Sequence, residues 1–299
     1  MNENNRIENK ASHTALMAVI HRFLATYDNR IKDKGPDNLA FVFLPPKARF
    51  FLRFAFFRTV ITKKLQKKVP GSYEYITART NFFDEIFISA AKSSIDQIVF
   101  LGAGFDTRAI RFQHLTSGSI IFELDTSTTQ NVKINYLKKS KIHLPENIVY
   151  VPINFNKDNL KQTLLSHGYL PQKRSLFIWE GVTMYITNES VKKTLSFIKD
   201  NSGYSSMIAF DYFYDSVIKG TSDSFGAKEL SESARKIGEE FKFGIEEGLV
   251  DEFLKENGFI LINHYTPQEF EKKFLRRAGR NTLGNMYGFA GHVYAKLKG

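Results

Sequence analysis

The sequence contains no cysteine. This absence excludes disulfide bonds, thiolate ligands for a metal ion and a cysteine nucleophile. Long apolar runs are also missing, because the Phe-rich stretch from Phe41 to Val60 is interrupted by Pro45, Pro46 and four basic residues. The polar start MNENNRIENK is unlike a signal peptide, and residues 1–10 are expected to be disordered. We therefore predict no transmembrane span and, by default, a cytoplasmic protein.

Acidic residues are fewer than basic ones, since 31 Asp and Glu stand against 42 Lys and Arg and give a net charge of +11. Such an excess can attract nucleic acid or an anionic membrane. The basic residues are spread along the chain, however, and this pattern is more typical of solubility or of attraction for acidic substrates. The two densest groups are Lys63, Lys64, Lys67 and Lys68, and Lys272, Lys273, Arg276 and Arg277.

One stretch, Gln97 to Asp125, combines two apolar runs with a glycine turn between them. The first run leads into Gly102 and Gly104, and the second ends at Asp125. This order predicts a strand, a turn that enters a helix, and a second strand with an acid at its tip. A glycine turn lets backbone N–H groups approach a ligand, and the acid can hold the two hydroxyls of a ribose. The predicted ligand is therefore a nucleoside.

The third glycine of the dinucleotide pattern G-x-G-x-x-G is missing, since Thr107 stands there and Asp106 precedes it. In that pattern the third glycine lets the helix pack closely beneath a pyrophosphate. An anionic side chain at the helix start would compete with a phosphate for the helix dipole. A nucleoside without phosphate, such as S-adenosylmethionine, therefore fits better. Either residue is also a typical N-cap, and capping would consume the same N–H groups.

The remainder of the chain alternates between predicted strands and helices. Further strands are expected at 147–153, 175–180, 205–211, 259–264 and 291–297, with helices at about 126–140, 158–166, 188–199 and 245–257. Repeated strand–helix units predict an α/β fold with a mostly parallel sheet that is covered on both faces. Ligands of such sheets bind beyond the carboxyl ends of the strands. The residues expected to gather there are Gly102, Asp125, Asn154, Glu180 and Asp211.

Two helices are predicted ahead of this sheet. Apolar residues recur at helical spacing from Ser12 to Asp28, a segment that also contains His13, His21 and Arg22. A second, long helix is expected from Ser72 to Ala91, after a Pro-Gly turn.

Arg79 lies in this second helix among apolar neighbours. An arginine there could grip a carboxylate through two parallel hydrogen bonds. The alternative is a salt bridge to Asp84 or Glu85, and the spacing alone does not choose between the two.

Two further segments depart from the strand–helix pattern. The stretch 39–65 is rich in Phe interleaved with Lys and Arg, and Pro45-Pro46 divides it into a loop and a helix. Its aromatic side could be a lid, a dimer face or a membrane-surface element, and ordinary core packing is the simplest expectation. Residues 213–244 form a polar insertion after the fifth strand, which either folds over the substrate side or is a surface loop.

Several fragments together resemble one protein family. The fragments FLGAGFDTRAIRF, FELD, YITARTNFFDE, LFIWEGVTMYIT and VDEFLKENGFILINHYTPQEF are similar to the leucine carboxyl methyltransferase family, especially its bacterial S-adenosylmethionine-dependent O-methyltransferases. The resemblance runs from about Ala11 to the C-terminus, and the combination of G-x-G-x-D-T-R with A-R-T and W-E-G is specific. It implies a Rossmann-like class I methyltransferase fold with a seven-stranded sheet. We expect residues 1–95 to form a helical cover and residues 96–299 the cofactor-binding domain, together in one compact unit.

The resemblance also implies roles for individual residues. Arg79 would bind the carboxylate of the methionyl part of the cofactor, and Asp125 would bind the ribose hydroxyls. Gly102 and Gly104 would line the cofactor, and Glu180 would lie beside the methionyl amino group and the sulfonium.

At two positions the correspondence with the family is less direct. Near the adenine the family usually has an Asp-Leu pair after the third strand, where this chain has Asn154-Phe155. The change removes a charge and keeps a hydrogen-bonding amide, so contact with the adenine is still expected. Eukaryotic members carry a basic residue in the first helix near the cofactor, and His21 or Arg22 falls there.

Transfer of a methyl group from a sulfonium is an in-line displacement, so the protein mainly has to align the reacting atoms. The predicted acceptor is a carboxylate or hydroxyl of a small molecule or a protein end. A carboxylate needs no base, whereas a hydroxyl would gain from one, and the candidate bases are His13, His21 and His292. None has an evident partner in the sequence, so the catalytic residue is left unassigned and a carboxylate or acidic phenol is favoured. No metal site is predicted.

Two alternatives from other functional classes stay open on the sequence. A strand, glycine turn, helix and acid also suit an NAD-dependent oxidoreductase, although the missing third glycine and the W-E-G segment count against it. A non-catalytic protein could instead use the basic, Phe-rich segment 41–68 to bind a membrane or a nucleic acid. The sequence predicts neither the oligomeric state nor the identity of the acceptor.

Overall fold

The computed structural model describes residues 13–32, 37–155, 157–275, 278 and 283–298. The predicted disordered lead at 1–10 lies outside the described residues, as do Arg276, Arg277 and the side chain of His13. Within the described ranges, no helix is long and apolar enough to cross a membrane.

The centre of the fold is one sheet with the strand order β3-β2-β1-β4-β5-β8-β7. Its strands are β1 (Gln97–Leu101), β2 (Ile120–Asp125), β3 (Ile148–Pro152), β4 (Ser175–Trp179), β5 (Met207–Tyr214), β6 (Gly244–Ile245), β7 (Phe259–Tyr265) and β8 (Ala290–Leu297). The strands from β3 to β5 pair in parallel, and β8 runs antiparallel to both of its neighbours. The predicted α/β fold with a mostly parallel sheet is confirmed. Parallel strands bring their carboxyl ends, and the residues that follow them, to one edge.

The two-residue strand β6 is an addition to the seven predicted strands. β5 continues to Tyr214, beyond the predicted end at Asp211, whereas its pairing with β4 stops at Phe210. The backbone groups of β5 beyond that point need other partners, and β6 supplies them in parallel register, with Phe213 opposite Gly244.

Helices cover the sheet and precede it. They are α1 (His13–Thr26), α2 (Pro46–Leu52), α3 (Ala55–Lys68), α4 (Ser72–Lys92), α5 (Arg108–Arg111), α6 (Ser127–Lys139), α7 (Leu160–Ser166), α8 (Asn188–Asp200), α9 (Asp215–Ile218), α10 (Ala227–Lys236), α11 (Val250–Glu256) and α12 (Pro267–Phe274). The predicted helices in the sheet region and the two long N-terminal ones are present, with ends that shift by a few residues.

Helix α4 fastens the N-terminal part of the chain to the sheet. The ring of Phe87 stacks on Phe100 of β1 with centroids 5.9 Å apart, and Phe82 packs edge-on against Phe274 of α12 at 5.3 Å. These rings are buried, and burying one Phe side chain stabilises a fold by about 1.5–3 kcal/mol. α4 therefore holds Arg79 at a fixed place against the sheet. The division into a cover and a domain near residue 95 stays a prediction.

The Phe-rich segment does not form the single helix expected from the sequence. It contains the short helix α2, which buries Leu52, and the longer α3, which buries none of its residues. Core packing, the simplest expectation for this segment, therefore holds for α3 only at Ile61 and Leu65, which are half-buried against the core. The apolar residues of α3 do not fall on one helical face, so the helix cannot turn a single stripe toward the core.

The insertion after β5 lies against the parts of the chain that surround the carboxyl edge of the sheet. It contains α9, α10 and β6. The N–H of Lys242 donates to the carbonyl of Met184 at 2.7 Å, in the segment that follows β4. Gly226 is packed so closely that a Cβ there would be 2.5 Å from the carbonyl oxygen of Pro70, just before α4.

Candidate functional site

The glycine turn after β1 has the geometry that the sequence predicts. Gly102 has φ +79° and Gly104 has φ +49°, a region of backbone space that favours glycine. The N–H groups of Gly102 and Ala103 donate to the carbonyl of Leu124 at 2.9 and 2.8 Å, which ties the turn to β2. A Cβ at Gly102 would lie 2.6 Å from Cγ2 of Val182. At these two positions the turn therefore has no side chain that would cover its backbone.

Asp125 ends β2 beside this turn. Its Oδ2 accepts the N–H of Gly104 at 2.7 Å, and its Oδ1 accepts the N–H of Thr126 at 2.7 Å. Burial raises the pKa of Asp125, and the two backbone donors oppose that rise. Each carboxylate oxygen has a second lone pair, so the oriented group can accept two further hydrogen bonds.

The start of helix α5 is capped by an acid. Oδ1 of Asp106 accepts the N–H of Arg108 at 2.7 Å, whereas the Thr107 side chain donates to Oδ1 of Asp37 at 2.8 Å. The expected capping is thus supplied by Asp106 and not by Thr107. An anionic cap occupies the N–H group that a phosphate would need, which agrees with the preference for a nucleoside without phosphate.

Arg79 lies between two carboxylates at the carboxyl edge of the sheet. Its Nε is 3.0 Å from Oε1 of Glu180, and its Nη1 is 3.1 Å from Oδ2 of Asp211. Burial would lower the pKa of Arg79, but these two carboxylates raise it above its ordinary value, so the guanidinium stays charged. The expected alternative partners pair elsewhere: Asp84 with Arg108 and Arg111, and Glu85 with Lys273.

Two details at Arg79 fit a ligand. The Nε atom is buried and, although it lies 3.0 Å from Oε1 of Glu180, it makes no hydrogen bond with a described residue. A Cβ at Gly181 would lie 3.0 Å from Nη1, so glycine in the W-E-G segment lets the guanidinium rest against the backbone. A buried donor without an acceptor is rare in folded proteins, and a ligand carboxylate would satisfy it.

Glu180 links Arg79 to a second buried arginine. Its Oε2 is 2.7 Å from Nη1 of Arg108, which also pairs with Asp106, and Nε of Arg108 is 2.7 Å from Oδ1 of Asp84. Arg108 is only 1% exposed, so removal of one partner would leave a buried charge unpaired. The network fixes Glu180 between the two guanidinium groups.

Asp211 is held by three donors. The hydroxyl of Tyr75 donates to its Oδ2 at 2.7 Å, and the N–H of Gly181 donates to its Oδ1 at 2.6 Å. Arg79 is the third donor, through Nη1. Burial raises the pKa of Asp211, and the charge of Arg79 opposes that rise.

Asn154 and Phe155 follow β3, next to the end of β2. The N–H of Ile153 donates to the carbonyl of Asp125 at 2.9 Å, and the N–H of Asn154 donates to Oδ2 of Asp158 at 2.7 Å. The carboxylate of Asp158 therefore lies beside Asn154, the position at which the sequence has an amide.

The candidate residues of α1 have different surroundings. Nη2 of Arg22 donates to the carbonyl of Phe105 at 2.9 Å, so Arg22 reaches the glycine turn. His21 instead contacts the carbonyl of Met17 at 2.7 Å and Oγ of Ser72 at 3.2 Å. Of the two residues proposed from the sequence, Arg22 is the basic one that touches the site.

Two of the three candidate bases are buried and neutral near pH 7. Burial lowers the pKa of His21 to about 4, against a weaker opposing effect of the Met17 carbonyl. Burial also lowers the pKa of His292 well below its usual range, and neither of its ring nitrogens has a hydrogen-bond partner among the described residues. The ring of His292 stacks on Phe270. The side chain of the third candidate, His13, is not described.

The sequence pattern of the family described as leucine carboxyl methyltransferase matches residues 15–199 of this chain. The chain belongs to the leucine carboxyl methyltransferase family. The match includes most of α1, the glycine turn, Asp125 and Glu180, whereas Asp211 lies beyond it.

Curated relatives carry consistent names. YktD of Bacillus subtilis (strain 168), provisionally named an S-adenosyl-L-methionine-dependent methyltransferase, is 25% identical over 229 residues, or 74% of this chain and 75% of that protein. Rv3767c of Mycobacterium tuberculosis (strain H37Rv), named in the same way, is 30% identical over 128 residues. That match covers 43% of this chain and 40% of Rv3767c, less than half of either protein.

Solved structures agree on the fold. A protein from Thermobifida fusca, provisionally named a methyltransferase, has a TM-score of 0.60 at 9% identity over 95% of both chains. A DUF574 family protein from Streptomyces avermitilis has a TM-score of 0.59 at 12% identity over 98% of this chain and all of that chain. At these identities the likeness concerns the fold alone, which is the predicted class I methyltransferase fold.

Membership of the leucine carboxyl methyltransferase family confirms the predicted class of enzyme, an S-adenosylmethionine-dependent methyltransferase, and the predicted cofactor, S-adenosylmethionine. It leaves no support for the NAD-dependent oxidoreductase or for a protein without catalytic activity.

Sequence reasoning missed several members of the charge network. Arg108, Arg111 and Tyr75 lie within the fragments named above but received no role, and Asp84 was considered only as a partner of Arg79. The available signal was the pair of arginines in FDTRAIR, because two arginines on one short helix beside a buried strand need carboxylate partners.

Proposed function

We propose that this protein is an O-methyltransferase that moves the methyl group of S-adenosylmethionine to a carboxylate or hydroxyl of a small molecule or a protein end. The observation that carries the proposal is the buried Nε of Arg79, a hydrogen-bond donor without an acceptor among the described residues. A donor of this kind suits the carboxylate of a methionyl group.

Arg79 and Glu180 are the proposed ligands for the two charged ends of the methionyl part. They lie 3.0 Å apart and carry opposite charges, as do the carboxylate and ammonium groups of an amino acid. The ligand carboxylate would bind the guanidinium of Arg79, and Glu180 would face the ammonium and the sulfonium. Glu180 keeps Arg108 as a second partner, which would hold it in place during the exchange.

Asp125 is the proposed ligand for the ribose. Its two oxygens are already oriented by one backbone N–H each and keep lone pairs for two hydroxyls. Gly102 and Gly104 would let the adenosine approach the main chain. Asn154 and Phe155, which follow the neighbouring strand, are proposed to contact the adenine.

The cofactor supplies a methyl group on a sulfonium, which an acceptor oxygen displaces in line while the electron pair of the broken C–S bond stays on sulfur. The protein's task is alignment, which can contribute ~7–11 kcal/mol to lowering the barrier. His21 and His292 have lowered pKa values, so they are poorly matched to act as bases near pH 7. This supports an acceptor that is already ionised, and a carboxylate is favoured over an alcohol.

The stability of the product toward alkali tests the proposal. The protein is incubated with methyl-labelled S-adenosylmethionine and panels of carboxylic acids, of phenols and of peptides with a free C-terminus. We expect label that alkali releases as methanol, because methyl esters hydrolyse under these conditions. Alkali-stable label on a phenol supports a hydroxyl acceptor, whereas label on nitrogen or carbon contradicts O-methylation. The Asp125→Asn variant, treated identically, controls for label that enters without the proposed site.

A further inference from the structure

Helices α2 and α3 present an apolar cluster that the proposed function does not use. Five phenylalanine side chains are 37–71% exposed there: Phe50, Phe51, Phe54, Phe56 and Phe57. Their rings pack on one another, with centroids 5.2 Å apart for Phe51 and Phe57 and 5.5 Å for Phe56 and Phe57. Single exposed apolar residues are common, but contiguous clusters mark interaction sites. We call this group the Phe cluster.

Basic side chains surround the Phe cluster. Between Asp37 and Glu74 the sequence has eight Lys and Arg and no acidic residue. Arg49 and Arg58 donate to backbone carbonyls of the same segment. The other six are exposed and make no ion pair with a described residue; they are Lys47, Arg53, Lys63, Lys64, Lys67 and Lys68. The face thus combines exposed aromatic rings with positive charge that no carboxylate of the described chain balances.

The segment that carries the Phe cluster meets helix α1 at the end of that helix, whereas α1 touches the cofactor site at two other places. A Cβ at Gly104 would be 3.4 Å from Cβ of Ala15, and Arg22 donates to the carbonyl of Phe105. The α2–α3 segment meets α1 at its other end, where the guanidinium of Arg58 lies 4.3 Å from the ring centre of Tyr27. At 1.5 Å per residue, Tyr27 is roughly 18 Å along the chain from Ala15 and roughly 8 Å from Arg22. Neither of the two contacts with the site involves a residue of the Phe cluster.

We propose that the Phe cluster and its six exposed basic residues dock the protein on an anionic lipid surface. Aromatic rings at the level of the headgroups, with Lys and Arg around them, are the combination that such surfaces bind. The complementary charge is that of anionic headgroups, and the apolar boundary beneath them takes the rings. Neither helix needs to cross the membrane for this docking.

Two other occupants fit less well. A second copy of the chain, placed symmetrically on this face, would bring the same six positive charges against themselves. A nucleic acid would balance the charge, but bases stack on ring faces, whereas these rings pack edge-on to one another, at 80° for Phe50 and Phe51 and 76° for Phe56 and Phe57.

Vesicle sedimentation with the full chain tests the docking. Vesicles of phosphatidylcholine alone are compared with vesicles that also contain phosphatidylglycerol, at about 50 mM and about 500 mM NaCl. We expect binding only to the anionic vesicles, and weaker binding at the higher salt concentration. Replacement of Lys63, Lys64, Lys67 and Lys68 by Gln is expected to reduce the partition coefficient on the order of 1,000-fold. The double variant Phe56→Ser and Phe50→Ser should reduce it by about tenfold or more.

Matched variants elsewhere on the surface control for general charge and hydrophobicity. The variant with both Lys138→Gln and Lys139→Gln lacks two exposed lysines at the end of α6. Phe225→Ser removes a ring that is 47% exposed. These variants should bind vesicles like wild type. Binding of S-adenosylmethionine and the circular dichroism spectrum should be unchanged in the α2–α3 variants. The docking proposal can therefore fail while the proposed function stands, and the proposed function can fail while the docking proposal stands.

Any of three outcomes overturns the proposal. The protein fails to sediment with anionic vesicles at low salt, it binds neutral and anionic vesicles equally, or the variants of the Phe cluster bind anionic vesicles like wild type. Binding of RNA that the lysine variant loses, without vesicle binding, would replace the lipid with a nucleic acid. A molecular mass that doubles with concentration in wild type but not in the Phe variant would replace it with a second copy.

Discussion

Arg79 has two carboxylate neighbours, Glu180 and Asp211, within 3.1 Å. Asp125, by contrast, accepts hydrogen bonds from the backbone N–H groups of Gly104 and Thr126 and from the hydroxyl of Thr126. In the proposed function these residues hold different halves of one molecule, the methionyl part and the ribose. The two roles can be separated by using a ligand that lacks one half.

The pair of variants Arg79→Lys and Asp125→Asn is predicted to separate them. Asp125→Asn should weaken S-adenosylmethionine and 5′-methylthioadenosine alike, by about 10- to 100-fold, because hydrogen bonds to a charged group contribute ~1.5–3 kcal/mol. Arg79→Lys should weaken the binding of S-adenosylmethionine by a similar factor. It should leave the affinity for 5′-methylthioadenosine unchanged, because that ligand has no amino-acid carboxylate. Titration calorimetry with both ligands measures the four affinities.

Residues of the same types outside the site serve as controls. Asp200→Asn and Arg174→Lys alter an acid and an arginine away from the site and should leave both affinities at the wild-type value. If Arg79→Lys weakens both ligands equally, Arg79 supports the fold of the site and does not contact the methionyl carboxylate.

At the level of residues, the sequence predicted what is local and missed what is distant. Asp125 and the glycines belong to one continuous stretch of the chain, so spacing was sufficient to assign them a place. Asp211 is 132 positions from Arg79, and no spacing rule connects them. The local partners considered for Arg79 were wrong in part because Asp84 is taken by Arg108 and Arg111.

The element that most constrains the site is the turn between β1 and α5. Gly102 combines a positive φ with close packing against Val182, which belongs to the segment after β4. The turn therefore depends on two separate conditions, the backbone conformation and the space for a side chain, and each can be changed alone.

Gly102→Ala is predicted to destabilise the fold by about 2–5 kcal/mol. Left-handed backbone costs a residue with a Cβ about 1–2 kcal/mol, and crowding against a stiff Val side chain adds about 1–3 kcal/mol. In a Val182→Ala background the crowding is gone, so Gly102→Ala should cost only the conformational part. Urea unfolding of the two single variants and the double variant gives the coupling.

Gly118→Ala is the control for this cycle. Gly118 lacks a positive φ, and a Cβ there would meet no atom within 4 Å. The control should change the free energy of unfolding by less than about 1 kcal/mol. A coupling of zero between positions 102 and 182 would contradict the predicted crowding.

Among the elements, α3 is where the sequence was least informative. Its apolar residues were expected to cover something, and composition alone could not reveal that they stay exposed. Whether a ring is buried depends on which neighbours reach it, and the contacts of α3 are mainly with α2 and α4.

For the whole molecule, buried histidines are predicted to make stability depend on pH. The pKa of His21 is about 4 in the fold and 6.5 when exposed. Between these values the unfolded chain binds a proton that the folded chain does not, so this contribution to the free energy of unfolding falls as pH drops below about 6.5. The loss amounts to at most ~3 kcal/mol near pH 4. The lowered pKa of His292 acts in the same direction.

His21→Gln should flatten this dependence, because an amide can keep both hydrogen bonds and does not titrate. Urea unfolding of wild type and variant at a series of pH values between 4 and 7 measures the difference. His143→Gln, at an exposed position, should run parallel to wild type. Parallel curves for His21→Gln and wild type would show that His21 does not contribute.

The fold as a whole was predictable because alternating strands and helices limit the possible arrangements to a few. β6 was not, because two residues are too short to form a pattern and pair only where β5 extends beyond β4. The charge network required the sheet to be assembled before its members could be seen together.

The position of β8 has a consequence for how the chain folds during synthesis. β8 pairs with β5 on one side and β7 on the other, although both precede it in the chain. β7 and α12 therefore leave the ribosome before residues 290–297, the strand through which β7 joins the sheet. Until then, the edges of β5 and β7 expose unpaired backbone groups that another chain could pair with. Closure of the sheet is a late, non-local step, and the interval before it is when aggregation competes most strongly with folding.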